Sequence, residues 1–281
     1  VSGGQLTSSA GVINIHATAY MSSFFQIKSR IVTLGSDRLE LNITASPGAR
    51  ALVEFIGEID NSIPGGVNVI GNAHLYLNND ARRYAVRGNI NIIEGASVSI
   101  LNSDQILSGR VSLISRGEAS TLKFRGISFP NSAFTEVISS LVVEGKGALD
   151  FGSEDSDYGH GPRFLLLDDL VIGNNSTLQI SDWQDGRDHL LVRKYSQHLE
   201  DALKKIEFLG YDRSSVHIKA PHTGDYHKDK DYWEISATYV PEPATYGGFL
   251  VAGTVSLSLL RRRLKSGLGR SPSSVTPITA I

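Results

Sequence analysis

Leu170-Val171-Ile172-Gly173-Asn174-Asn175-Ser176-Thr177-Leu178-Gln179-Ile180 is an apolar strand, a polar turn and a second apolar strand, and its reading decides the fold. The same arrangement starts at Ile90 and at Leu141. Eight residues after each start stand Val98, Leu149 and Leu178, and ten residues after it stand Ile100, Phe151 and Ile180. The turns between are Glu94-Gly95, Glu144-Gly145 and Asn174-Asn175. Side chains alternate across a strand, so two strands that keep one inward parity around a turn form a corner of a stacked coil. One such coil cannot bury its apolar side alone and requires neighbours above and below. The expectation is an all-β chain forming a right-handed parallel β-helix, or β-solenoid. The repeat spacing is uneven, 51 and then 29 residues, which leaves an antiparallel β-sandwich as the alternative.

Working outward, short alternating segments separated by Gly, Asn and Ser fill the chain up to residue 180. Candidate strands are 12–16, 38–44, 51–58, 67–70, 74–77, 89–93, 97–101, 111–114, 121–124, 141–143, 149–151, 170–172 and 177–180. Leu39, Leu41 and Ile43 alternating with Glu40, Asn42 and Thr44 is one clean example. Beyond Ile180, Asp185-Gly186 between two apolar runs predicts a hairpin, because that dipeptide accepts positive φ. Residues 199–205 predict two helical turns with Leu199, Leu203 and Ile206 on one face. Segments 206–211, 215–219 and 232–239 predict closing strands. Residues 1–177 thus read as a β-helical body and 178–239 as a cap over its last coil, where open strand edges would otherwise be exposed.

The chain has 281 residues and no cysteine, which excludes thiol catalysis and zinc–thiolate sites. A chain this long builds a core without disulfides. Residues 1–240 hold 22 Lys+Arg against 28 Asp+Glu. That acidic balance argues against nucleic-acid binding, which needs a basic surface.

Near the C-terminus stand Val240-Pro241-Glu242-Pro243, an uncharged apolar run over 244–260, and Arg261-Arg262-Arg263. The prolines keep the tetrapeptide extended. The apolar run is at the lower length limit for a membrane-spanning helix, and the arginines stay on the cytoplasmic side by the positive-inside bias. A Ser/Pro-rich tail, 264–281, reads as disordered.

This constellation resembles the PEP-CTERM sorting signal of bacteria that make exopolysaccharide. The matching positions are Pro241, Glu242 and Pro243 for the recognition block, 244–260 for the span and Arg261, Arg262 and Arg263 for the stop. The resemblance implies export, a membrane-anchored precursor, and cleavage near Pro241 by an exosortase-type membrane protease. Leu178–Gln179–Ile180–Ser181–Asp182–Trp183, Asp185-Gly186 and the run from His189 to Val192 are similar to the C-terminal region of family members with β-helical bodies. Ala96-Ser97-Val98-Ser99-Ile100 resembles passenger regions of autotransporter-type surface proteins. Export needs a leader, and none precedes Val1, so the sequence reads as a mature form or one with N-terminal sequence missing.

Chemistry-bearing residues are few. Asp182, Asp185 and Asp188, spaced by three in a turn, are the candidate calcium ligands. His217, His222 and His227 with Asp225, Asp229 and Asp231 form a polar cluster whose spacing fits no standard ligand pattern. Asp168 and Asp169 are adjacent carboxylates, but neighbouring strand residues face opposite sides. Lys123, Arg125 and Glu118 lie close in sequence, as the base and carboxylate of a lyase would. No nucleophile elbow or phosphate-binding glycine loop is present.

The sequence therefore predicts a non-enzymatic, cofactor-free protein of the cell surface or extracellular matrix, associated with exopolysaccharide or adhesion. The alternative is a β-helical polysaccharide lyase or glycoside hydrolase.

Overall fold

Alternating apolar residues, set between turns that admit positive φ, fold into stacked coils. The structure is a computed structural model and describes residues 4–9, 11–18, 22–27, 39–57, 63–79, 84–107, 109–125, 133–152, 161–220 and 231–238. The chain divides into two compact units, Val1–Tyr239 and Val240–Ile281. The second unit, with the predicted sorting block, span and tail, lies outside the described residues.

The strands are β1 (Gly4–Ser9), β2 (Val12–Ala17), β3 (Ser22–Ile27), β4 (Glu40–Ala45), β5 (Arg50–Gly57), β6 (Gly66–Ile70) and β7 (Ala73–Asn79). They continue as β8 (Val86–Arg87), β9 (Ile90–Ile93), β10 (Ser97–Ile100), β11 (Ile106–Leu107), β12 (Arg110–Phe124), β13 (Phe134–Asp150) and β14 (Arg163–Ile172). The last are β15 (Thr177–Ser181), β16 (Asp188–Arg193), β17 (Ile206–Phe208), β18 (Val216–Lys219) and β19 (Tyr232–Ala237). One short α-helix, α1 (Leu199–Leu203), and a turn of 3-10 helix at Arg213–Ser215 are described. Among the described residues no helix is long and apolar enough to cross a membrane.

Parallel pairing sorts these strands into three sheets of a β-solenoid of about six turns. The first sheet stacks β2, β4, β6, β9 and the parts of β12, β13 and β14 that contain Val111, Leu141 and Leu170. The second stacks β3, β5, β7, β10, the ends of β12 and β13, then β15 and β17. The third is short at first, β8 on β11, and becomes regular where the starts of β13 and β14 stack with β16. This in-register parallel stacking excludes the sandwich alternative, whose strands are antiparallel.

The uneven repeat has a simple cause. Val111 stands between Ile90 and Leu141 in the first sheet, so one coil separates what the sequence reading treated as neighbours. The last coil slips as well: Leu149 pairs with Ile180, not Leu178, because the corner at Asn174-Asn175 is longer by one strand repeat. Leu178 still faces inward, since a shift of two preserves parity.

The core is the inside of the coil. Leu41, Ile43, Val67, Val69, Ile90, Ile92, Val111, Leu113, Leu141, Val143 and Leu170 are fully buried in the first sheet. Burying each such side chain contributes roughly 1.5–3 kcal/mol. At the corner between the second and third sheets, aromatic rings meet from coil to coil, the first pair stacked and the next two edge to face. Phe124 lies 5.0 Å from Phe151, Phe151 lies 5.1 Å from Trp183, and Trp183 lies 5.0 Å from Phe208.

Two expectations change. Asp185-Gly186 is not a hairpin: Gly186 has the expected positive φ of 81°, but β15 pairs with β13 and β17 while β16 pairs with β14 and β19. The dipeptide turns the chain from one sheet to the next. The separate segments expected at 111–124 and 141–151 lie in single bent strands, β12 and β13, whose ladder is interrupted after Ser115–Gly145 and resumes at Ser120–Gly147. Parallel pairing runs on through β17, inside the 178–239 stretch. The sense then changes: β19 lies antiparallel on β16, with β18 antiparallel on β19. At the other end, β1 is antiparallel to β2.

The third sheet turns polar groups inward. Glu136 is fully buried, and its two carboxylate oxygens accept the backbone N–H groups of Gln105 at 2.9 Å and Ile106 at 2.8 Å. Gln105 in turn accepts Asn79 N–H at 2.8 Å and donates to Asn79 C=O at 3.2 Å. Side chains thus complete a ladder where β8 and β11 are too short to do so.

Two predictions follow from the packing. A Cβ on Gly145 (φ 86°) would sit 1.6 Å from the Ser115 carbonyl oxygen, whereas one on Gly186 meets nothing within 4 Å. Gly145→Ala should lower stability in urea titration by clearly more than Gly186→Ala, whose strain alone costs about 1–2 kcal/mol. Equal losses would mean the close approach at this corner is wrong. Burial of Glu136 outweighs its two amide bonds and pushes the carboxyl up to about 8 from 4.5. Folding then takes up a proton between those values, so this contribution to stability is full below the lower value and lost as pH rises through the upper. Thermal melts across that window should show the decline in the wild type and a flatter profile in Glu136→Gln.

Candidate functional site on the outer face of the second sheet

Outward positions of the second sheet gather the densest set of unusual polar groups among the described residues. The row through Tyr76, Ser99, Lys123 and Asp150 comes from β7, β10, β12 and β13, with His74 and Ser97 in the row beside it. These residues are far apart in sequence, and stacked coils bring them onto adjacent rungs, about 4.8 Å apart.

His74 is nearly buried although it points outward. Its ring stacks on Tyr76 with centroids 4.2 Å apart, and its nitrogens bond Ser97 Oγ and Ser99 Oγ, each at 2.8 Å. Burial, then the charges of Lys123, Arg50 and Arg125, lower its pKa to about 3. The imidazole is therefore neutral at any ordinary pH and forms an uncharged floor. Lys123 is half-buried, and burial, with Arg125 and Arg50 adding to it against the pull of Asp150, lowers its ammonium pKa.

At the upper end of the row, Arg125 donates to Asp150 at 2.9 Å, and the other Asp150 oxygen accepts Gly152 N–H at 2.8 Å. Asp182 reaches the same carboxylate from the next corner, from a backbone φ of 54°. Burial, then the charge and hydrogen bond of Asp150, raise the Asp182 pKa. A proton shared by two adjacent carboxyls is the usual outcome of such a contact.

The predicted calcium ligands do not converge. Asp182 faces Asp150, as above. Asp185 is exposed and accepts from Lys219 Nζ at 2.9 Å and Ser236 Oγ at 3.1 Å; the Lys219 hydrogen bond comes first in lowering its pKa. Asp188 is buried and accepts both Arg163 Nε at 2.6 Å and Arg163 Nη at 3.1 Å, along with Gln184 N–H at 2.8 Å. Burial raises the Asp188 pKa against these bonds. Among the described residues no group of three or more His, Asp or Glu could hold a metal ion.

The other candidates also separate. Asp168 pairs with Arg193 at 2.5 Å, while Asp169 accepts from Ser196 Oγ and lies 3.2 Å from His198 Nδ1. His217 is exposed and bonds the Ser215 carbonyl, Asp231 is exposed, and His222, His227, Asp225 and Asp229 lie outside the described residues. Lys123 and Arg125 do share a face with a carboxylate, but the carboxylate is Asp150; Glu118 sits back at the corner beside Gly95.

Sequence reading missed a second network at the C-terminal end. His189 Nδ1 lies 2.9 Å from Glu234 Oε1, and Lys219 lies 3.4 Å from the same oxygen. Burial alone would lift the Glu234 pKa, but the bond and charge of His189, followed by Lys219, outweigh it and hold the carboxyl below its usual range. This network ties β16, β18 and β19 together.

No family model, no curated protein and no solved structure matches the chain, so the site is read from its own geometry.

The Arg163–Asp188 pair gives a direct test of structural roles. Its side chains are 5 % and 0 % exposed, so Asp188→Ala strands a buried guanidinium and should cost about 3–5 kcal/mol in urea unfolding. Replacing both partners by apolar residues, as in Arg163→Met with Asp188→Leu, should recover most of that loss.

Proposed function

We propose that the chain is an exported, non-enzymatic protein of the cell surface or matrix whose solenoid lies along exopolysaccharide. Residues 240–263 would serve as its PEP-CTERM sorting signal, with 244–260 as the membrane span of the precursor and cleavage near Pro241 by an exosortase. The coil would be right-handed, as parallel strand crossovers almost always are. The antiparallel strands β18 and β19 would act as the cap of the last coil.

One observation carries the polysaccharide reading: a run of amide side chains along the outside of the first sheet. Asn42 Nδ2 donates to Asn14 Oδ1 at 3.0 Å, Asn68 Nδ2 to Asn42 Oδ1 at 2.8 Å, and Asn91 Nδ2 to Asn68 Oδ1 at 2.7 Å. These bonds fix each amide's orientation, so the run presents ordered polar groups on successive rungs, with Asn68 also donating to Glu40 Oε1 at 2.7 Å. A repeating glycan meets a repeating surface, and many weak polar contacts add up through multivalency. The second sheet carries a similar run, Gln26 to Glu54 at 2.8 Å, Asn78 to Glu54 at 2.8 Å and Asn102 to Asn78 at 3.1 Å.

A second reading, a polysaccharide lyase or glycoside hydrolase, is favoured by Lys123 beside Asp150 and Asp182. A half-buried amine with a lowered pKa is suited to take a proton, and a carboxyl with a raised pKa is suited to give one. Solenoid folds serve both binding and catalysis, so fold alone does not choose.

Fractionation of the native host with an epitope inserted near Gly3 tests the first reading. The tagged body should appear outside the cytoplasm and be shortened near Pro241. Full-length protein confined to the cytosol would sink it. Incubation with host polysaccharide should yield neither new reducing ends nor unsaturated products; their appearance, and their loss in Lys123→Ala, would establish the enzyme instead.

A further inference from the structure

The cations around His74 are not balanced. Arg50 and Lys123 make no hydrogen bond or ion pair among the described residues, although Lys123 has given up part of its hydration. The acids nearest to them are already engaged. Asp150 holds Arg125 and the Gly152 N–H, and Asp182 is turned towards Asp150. Glu54, three rungs below Lys123 in the same row, accepts from Gln26 and Asn78. His74, spanning the rungs between, adds no charge of either sign, because both its ring nitrogens are committed to Ser97 and Ser99.

A partly desolvated ammonium is unfavourable unless an anion meets it. Here the ammonium is anchored on β12, with Arg125 two residues further along the chain and Arg50 at the start of β5, three rungs below. Both guanidinium charges act on Lys123 and on His74, and the register sets His74 between them, with Arg50 on the rung below it and Lys123 two rungs above. These cations are a local exception in a body whose overall charge is acidic.

We propose that Arg50, Lys123 and Arg125 form a notch that holds the anionic group, carboxylate or sulfate, of an acidic polysaccharide. This rests on the polysaccharide reading above and assigns it a ligand class and a location. Arg50 and Lys123 supply the free charges. Arg125, clamped by Asp150, supplies its remaining guanidinium edge.

The test uses the full chain and three immobilised probes: polygalacturonate, dextran sulfate and neutral dextran, at low and high salt. The wild type should bind one or both charged polymers, more weakly as salt rises, and bind neutral dextran far less. The Arg50→Ala, Lys123→Ala double variant should lose at least tenfold of the charged-polymer binding, with Lys123→Arg retaining most of it. Circular dichroism and thermal melts of the double variant check that it is folded; should it not fold, Arg50→Ala alone, at an exposed position, carries the comparison. Charged-polymer binding unchanged in the folded variant overturns the notch. Neutral dextran bound as tightly as the charged polymers overturns it too, while leaving the polysaccharide reading intact. No binding to any of the three removes both.

Discussion

Every coil of this molecule depends on a backbone ladder held in parallel register with the coil before it. A strand in such a stack has two neighbours and no choice about which side chain faces inward. A shift of one residue would turn Leu41, Ile43 and their successors out to water. A shift of two is tolerated, and the last coil uses it, pairing Leu149 with Ile180. The ladder therefore fixes parity strictly and spacing loosely. Corners absorb the difference, by a glycine pressed against a carbonyl at Gly145 or by a non-glycine residue at positive φ at Asn175.

That distinction explains what the amino-acid order reveals and what it conceals. Strands of the first two sheets are legible because Leu, Ile and Val alternate with Asn, Ser and Thr over four to six residues. The third sheet is hard to read for the opposite reason. Its inward positions include Glu136, Arg163 and Asp188 among the apolar residues, so the usual apolar–polar contrast is interrupted. Phe134–Ile138 and Arg163–Leu167 each set a charged residue at an inward position among apolar ones, where Glu136 caps two amides and Arg163 is locked to Asp188. The Asp185-Gly186 turn misleads differently: the dipeptide sets a local φ, but only the partner strands decide whether a turn closes a hairpin or rounds a corner.

The outer cluster was legible only in part. Lys123 and Arg125 stood out, being two apart on one strand. Their acid, Asp150, and their floor, His74, lie in other coils, where no motif links them. Only the register brings Ser99, Lys123 and Asp150 onto successive rungs. Conversely, the regular spacing of Asp182, Asp185 and Asp188 suggested one site, yet a corner sends each carboxylate towards a different neighbour. Regular spacing predicts convergence on a helix or strand, not on a turn.

The change of strand sense at both ends bears on growth. A stack of like coils is a template, and a second molecule could in principle dock its own first coil onto an open end. Here β1 runs against β2, and β19 runs against β16. Antiparallel rungs space their hydrogen bonds unevenly and perpendicular to the strand, whereas parallel rungs slant and repeat evenly. An incoming coil placed on β1 or on β19 therefore meets a ladder whose pattern does not continue its own.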